Sequence, residues 1–326
     1  PAWITGSKLG MDILKKHMDK NAEVNLNYEP KYAQLANYWK NRIGMIEALS
    51  SANTAEFKEQ VEDDFDKWAK KRKNKKTYGC VTSNINEFYE KTNYQSIHDN
   101  LLSILLRSSG LSVFPYRFSK YMSALLSIED ADKKQKMQDQ ITDMIKEFYE
   151  PLHLPLEIEM LGSQLQLYIK SYSEDTAFTN LHPELPKLLH DLPFNDFNEE
   201  EFELGPEVYD EIKKMLKNSI FYNSETANLF LENPEMDKLT KDPMYQISSA
   251  IIGIYMSKSK EEAELKAKFT KSYRLLVQGL RKSGLSPIKY PDANSTLRLT
   301  YGKVSPLPPD ETNDAKENFY TTLKGT

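Results

Sequence analysis

The chain has 326 residues, of which 39% are hydrophobic and 28% charged, and its 43 basic and 48 acidic residues give a formal charge of −5. That length supports one large core or two medium ones, and that balance offers no electrostatic case for nucleic acid. No apolar run approaches the ~20 residues that span a bilayer as a helix. The single cysteine, Cys80, excludes an internal disulfide and says little about compartment.

The chain opens at Pro1 without methionine or a charged-then-apolar leader, so we expect a processed or cut piece of a longer protein. The first element with a distinctive pattern is a helix around Asn37-Tyr38-Trp39-Lys40-Asn41-Arg42-Ile43-Gly44. At about 100° per residue, Tyr32, Leu35, Ala36, Trp39, Ile43 and Ile46 share one arc of roughly 100°, the expected core face. Asn37, Asn41 and Gly44 fall together on the other side. Asparagine is a mediocre helix former, so two of them one turn apart ask for a reason. An Asn amide offers both a carbonyl acceptor and an NH₂ donor. The pair therefore suits an ammonium ligand, with access left by Gly44. An exposed polar face, or bonds to a neighbouring helix, would produce the same pattern.

Next, Phe57, Val61, Phe65 and Trp68 repeat at three- and four-residue spacing, an apolar stripe with Thr54 as its expected N-cap. The run Lys70-Lys71-Arg72-Lys73-Asn74-Lys75-Lys76 closes that helix as a solvated basic turn complementing the helix dipole. Further helices are expected at about 84–107, 116–127, 131–149, 156–173, 206–219 and 241–282, the last broken near Ser257–Lys260. Prolines mark the boundaries, among them Pro115, Pro151, Pro155, Pro206, Pro234 and Pro243. Leu181–Gly205, rich in Pro, Asn and Glu, reads as a surface loop. No repeat of 20 to 50 residues is evident.

The character changes near the end. Leu297, Leu299 and Tyr301 alternate with Thr296, Arg298 and Thr300, the period of a half-buried strand. One strand cannot stand alone in water, so its sheet partners are expected outside this chain.

The search for chemistry yields little. The five histidines, His17, His98, His153, His182 and His190, form no H-E-x-x-H, and Cys80 alone assembles no Cys/His zinc spacing. There is no G-x-S-x-G elbow and no Walker-type phosphate loop. His153 has Glu157 and Glu159 nearby and His190 has Asp191 beside it, but both stand in Pro-rich turns where capping or surface roles are expected. No metal and no cofactor is implied.

Two stretches carry a resemblance. "ANYWKNRIG" near the start and "YPDANSTLRLTYGKV…YTTLKG" near the end resemble the bacterial serine dipeptidyl peptidases, the family that includes dipeptidyl peptidases seven and eleven of Bacteroidetes. The resemblance implies a mainly α chain, a multi-helix cap domain inserted into a chymotrypsin-like double β-barrel that is itself absent. It divides the chain into an α-helical cap over residues 1–287 and a segment over 288–326 whose short β-strand returns to that barrel. It implies an enzyme that releases dipeptides from the free N-terminus of oligopeptides with a Ser-His-Asp triad. All three triad residues would lie outside Pro1–Thr326, so no residue here is assigned as catalytic. In the family, an asparagine of the helical domain helps to hold the substrate's α-ammonium, in the motif matched by Asn37–Asn41. Gly44 would support the cleft. Tyr38 and Trp39 are expected to serve core packing rather than substrate contact. The implied partners are the oligopeptide substrate, the barrel of the same parent chain and a second copy in a homodimer, with neither nucleic acid nor a membrane span. The implied location is the periplasm or cell surface. The alternative function is a non-catalytic helical module that binds peptides or proteins.

Overall fold

The computed structural model describes residues 2–173, 204–256, 260–286, 299 and 301–303. The chain divides into two units, Pro1–Leu285 and Ser286–Thr326. The described residues of the first are mainly helical, and among the described residues there is no strand.

Helices α1 (Ala2–Met18) and α2 (Ala22–Ser51) run antiparallel. Asn21 closes the turn between them, its side-chain oxygen accepting from the backbone N–H of Glu23 at 2.9 Å and of Val24 at 3.3 Å. Those are two of the donors that a helix start leaves without partners. Leu9, Ile13 and Leu14 of α1 are buried, and glycines let its backbone approach closely. A Cβ at Gly10 would stand 2.6 Å from Leu35 Cδ1, and one at Gly6 would stand 2.9 Å from Ile104 Cδ1. Gly10→Ala is accordingly expected to destabilise the chain by about 1–3 kcal/mol through overpacking. An unchanged urea midpoint would mean that Leu35 yields without cost.

After α3 (Thr54–Ala69) and the short α4 (Lys75–Tyr78) comes the long α5 (Val81–Ser108). A 3₁₀ turn at Gly110–Ser112 leads into α6 (Phe114–Leu126), α7 (Ala131–Tyr149) and α8 (Leu154–Ser173). Among the described residues that follow are α9 (Pro206–Lys217), α10 (Ser224–Glu232), α11 (Met236–Lys241), α12 (Pro243–Met256) and α13 (Lys260–Ser283). Helix α8 is the centre of the unit, packed by α1, α5 and α9. Every residue from 156 to 168 is buried, the signature of a helix enclosed on all sides.

Two apolar clusters hold these elements. In the larger, Leu9, Leu102, Phe118, Leu161, Leu165 and Phe221 are fully enclosed. Its aromatic part stacks Phe114 on Phe148 at 3.8 Å and sets Phe118 edge-on to Phe221 at 5.4 Å. The smaller gathers Phe65, Ala69, Tyr78, Val81 and Ile85, covered by Phe269, Leu276 and Leu280 of α13. Asp242 ties two chain reversals together. It accepts from the N–H groups of Met244 (2.9 Å) and Tyr245 (3.1 Å) at the start of α12, and from Ile220 N–H (2.7 Å) and Ser219 Oγ (2.9 Å). Burial pushes its carboxyl above the ordinary range even so.

The expected helices between 84 and 219 appear with ends shifted by a few residues, and the last one is two helices, α12 and α13, with residues 257–259 outside the described residues. Periodicity missed α1, α4, α10 and α11; the last three are too short to display a repeat. Thr54 is the first helical residue rather than the cap. That place belongs to Asn53, in the left-handed conformation at φ 45° with no side-chain cap bond. The α3 stripe is sound at Phe65, whereas Phe57 is 57% exposed. The irregular stretch expected over 181–205 lies outside the described residues except for Leu204 and Gly205, which are not helical. The expected strand also lies mostly outside them. Leu299 and Tyr301, its two described apolar positions, are 84% and 93% exposed and in no regular structure.

Candidate functional site

The candidate site lies on the middle of α2. Asn37, Asn41 and Gly44 are all exposed on one side of the helix, and Leu35 is buried on the other. Neither amide makes a hydrogen bond among the described residues, so both retain their full donor and acceptor capacity. A Cβ built on Gly44 would meet nothing within 4 Å. The face is open, its two amides are neutral, and exposed Lys40, three residues after Asn37 and four before Gly44, borders it.

What steadies it is Tyr38, between the two asparagines. The Tyr38 hydroxyl accepts from Gln34 Nε2 at 3.1 Å and from Arg107 Nη1 of α5 at 3.4 Å. Its ring meets the Trp3 ring of α1 edge-on at 5.1 Å. Trp3 in turn donates through Nε1 to Asn100 Oδ1 of α5 at 2.7 Å and lies 5.7 Å beneath the Arg42 guanidinium. Both neighbouring helices therefore grip α2 at the level of Asn37 and Asn41.

This corrects the expected core arc. Tyr38 packs against the main core, while Trp39 and Ile43 are only half-buried and Ile46 is 50% exposed. From Gly44 to Asn53 every residue is exposed. The helical repeat holds, but beyond Ile43 this half of α2 is left exposed and its apolar side chains are not buried.

The described histidines and carboxylates near the centre serve a different purpose. Glu157, at 1% exposure, accepts from Ser109 Oγ at 2.9 Å, Gly110 N–H at 2.8 Å, and Tyr28 Oη and Lys31 Nζ at 3.2 Å each. Glu159 takes Lys16 Nζ and His17 Nε2, both at 2.8 Å. The His17 ring stands 5.4 Å from that of His153. Tyr28 Oη also accepts the backbone N–H of His153 at 3.0 Å. So Glu157 and Glu159 are buried tie points between helices, and half-buried His153 has the expected capping place, its carbonyl accepting the Glu157 N–H at 3.1 Å at the start of α8, while joining the same network. His182 and His190 lie outside the described residues. Among the described residues no group of three or more His, Cys, Asp or Glu is disposed to hold a metal, and no helix is long and apolar enough to cross a membrane.

The network carries a pH dependence. Burial and the adjacent His17 push the His153 pKa below its ordinary 6.5. For Glu159, burial acts upward, but the bonds from His17 and Lys16 outweigh it and hold the carboxyl below its ordinary 4.5. In both cases the unfolded chain binds protons more readily than the folded one, so stability is full above the ordinary value and falls with pH below it. The His153 contribution begins to be lost as pH drops through 6.5, and that of Glu159 only below 4.5. The thermal midpoint is thus expected to decline between pH 7 and pH 5, and His153→Gln should flatten that decline. An unaltered slope in the variant would assign the decline elsewhere.

The whole chain, residues 1–326, matches the Peptidase S46 family. It is similar to a Capnocytophaga gingivalis protein named dipeptidyl-peptidase 7, at 38% identity over 325 residues, covering 99% of this chain and 43% of that protein. It is also similar to a Flavobacterium psychrophilum protein named Asp/Glu-specific dipeptidyl-peptidase, at 23% identity over 317 residues, covering 95% of this chain and 41% of that one. In fold it resembles the crystal structure of Porphyromonas endodontalis DPP11 in complex with the dipeptide Arg-Glu, with a TM-score of 0.68 at 19% identity, covering 96% of this chain and 42% of that one. The chain therefore spans about two fifths of the length of these proteins. With a helical unit of that fold and a match that runs from the first residue to the last, the chain belongs to the Peptidase S46 family.

Proposed function

We propose that this chain is the helical cap region of a serine-type dipeptidyl peptidase, and that the Asn37–Asn41 face of α2 holds the α-ammonium of a peptide substrate. The observation that carries the proposal is the pair of unbonded amides one turn apart, beside the open space at Gly44 and on a segment gripped by α1 and α5. Two carbonyls on one face can accept from an ammonium group, and a carboxylate from elsewhere in the enzyme would take its third proton. Fixing the N-terminus two residues from the scissile bond makes a cleft release dipeptides instead of cutting internally. The nucleophile, its histidine and its aspartate belong to a β-barrel domain of the longer protein, and closure of the cap over bound peptide would exclude water. The relatives' names support the reaction class. A periplasmic or cell-surface location and a homodimeric parent accompany this proposal.

The test is hydrolysis of fluorogenic dipeptide substrates by the full-length protein. Substrates with a free α-amine should turn over, their N-acetylated counterparts should not, and the 326-residue chain alone should be inactive. Equal cleavage of acetylated and free substrates would remove the amine anchor, and turnover by the chain alone would overturn the placement of the triad.

A further inference from the structure

The basic run near residue 70 reads in isolation as a solvated helix end, but the fold sets it against a second basic surface about 200 positions away in sequence. Lys76 and Cys80, with Val81 and Asn84 of α5, form one wall of a groove of about 230 Å³ whose other wall is α13, with Lys268 and Lys271. Lys271 also borders an adjoining open hollow of about 490 Å³ lined by Lys266, Ala267, Thr270, Arg274 and Leu275. At the far end of α13, Lys282 Nζ lies 5.9 Å over the ring of Tyr78, the last residue of α4. No carboxylate lines either hollow.

Most of these charges are also uncompensated. Lys76, Lys266, Lys271 and Arg274 make no ion pair among the described residues. Lys268 shares Glu87 with Lys91, so that trio keeps a net positive charge. The first turn of α5, which opens at Val81 on the groove wall, contains no acidic residue, and its amide end adds to the same sign. In a chain whose formal charge is −5, an unopposed positive groove is a local concentration against the overall balance.

From this convergence we infer that the groove between α4, the start of α5 and α13 binds a phosphate-bearing anion. The chemistry favours phosphate over carboxylate. Planar, monovalent carboxylates are matched best by the two-pronged guanidinium of arginine, whereas ammonium groups act as separate point charges. Several lysines converging from two walls suit one compact, multiply charged group. The aliphatic floor of Val81 and Leu275 can receive the carbon portion of such a ligand, because lysine stems and leucine are apolar below the charged tips. A soluble phosphate ester and a lipid headgroup present the same group to this groove.

Cys80 supplies the readout, since it is exposed, lines the groove and is the chain's one cysteine. Alkylation of Cys80 in the 326-residue chain would be timed with and without inorganic pyrophosphate, and with vesicles of phosphatidylcholine alone or containing phosphatidylglycerol. Pyrophosphate is expected to slow alkylation, and the protection should vanish in about 1 M salt, where the Debye length is ~3 Å. Lys76→Gln with Lys271→Gln should raise the half-protecting concentration about five- to thirtyfold. Lys133→Gln with Lys136→Gln, on exposed α7, should leave it unchanged. Protection by pyrophosphate but not by anionic vesicles indicates a soluble ligand, and protection by anionic but not neutral vesicles indicates a headgroup. Three results would each overturn the assignment. They are no protection by either probe, equal protection in the Lys76/Lys271 variant, and stronger protection by poly-glutamate than by pyrophosphate.

Discussion

Replacing Asn41 or Asn37 by alanine in the full-length protein is expected, on the proposed function, to raise KM by about 1.5–3 kcal/mol, the cost of a lost hydrogen bond to a charged group. In rate terms that is roughly ten- to hundredfold in kcat/KM. Folding stability should stay within about 0.5 kcal/mol, because both side chains are exposed and unbonded among the described residues. Loss of affinity without loss of stability separates a substrate contact from a structural asparagine. The two positions need not contribute equally, and the variant with the larger KM identifies the amide that holds the amine. Kinetics unchanged in both variants would sink the anchor while leaving membership of the family intact.

The second large effect concerns the interior. Glu157→Ala is expected to destabilise the folded chain by about 3–5 kcal/mol, the cost of breaking a buried ion pair by deleting one partner. The carboxylate collects donors from α2 (Tyr28 and Lys31) and from the backbone and hydroxyl just ahead of and within the 3₁₀ turn (Ser109 and Gly110). Removing it leaves the Lys31 ammonium, on a side chain 26% exposed, without its ion pair and takes the acceptor from three further polar groups. Glu157→Gln should cost less, because an amide oxygen still accepts on one side while its NH₂ opposes donors on the other. Urea unfolding of the two variants at pH 7 tests the order. Equal and small effects would mean that water replaces the carboxylate, and that Glu157 does not couple α2 to α8.

These two sites differ in how far local sequence reveals them. Asn37 and Asn41 stand out because helical periodicity is local: 3.6 residues per turn assigns them a common side whatever surrounds the helix. Their exposure and the emptiness beside Gly44 agree with that geometry. In the sequence Glu157 and Glu159 stand out only as neighbours of His153, and that nearness does not disclose that α8 is enclosed. A helix buried all round has no polar side for a pattern to report. The donors that make its carboxylates tolerable come from positions 28, 31, 109 and 110, and from 16 and 17, far off in the chain.

The same contrast runs through α2 and α13. Trp39, Ile43 and Ile46 obey the helical repeat, but a repeat states only which side chains share a side. It says nothing of whether another helix covers that side, and from Gly44 to Asn53 every residue is exposed. Lysines at 76, 268 and 271 are ordinary surface residues one at a time, and only the packing of α13 against α4 and the start of α5 brings them to one groove, where Lys268 alone of the three has a carboxylate partner among the described residues. Composition, proline placement and periodicity by themselves determine that this chain is helical, roughly where its helices lie, and which side of α2 carries the asparagines. Burial of the two glutamates, the grip of Trp3 and Tyr38 on the site, and the meeting of distant lysines depend on contacts between residues remote in sequence. Such contacts arise from the summed apolar burial of whole helices, which no local pattern encodes.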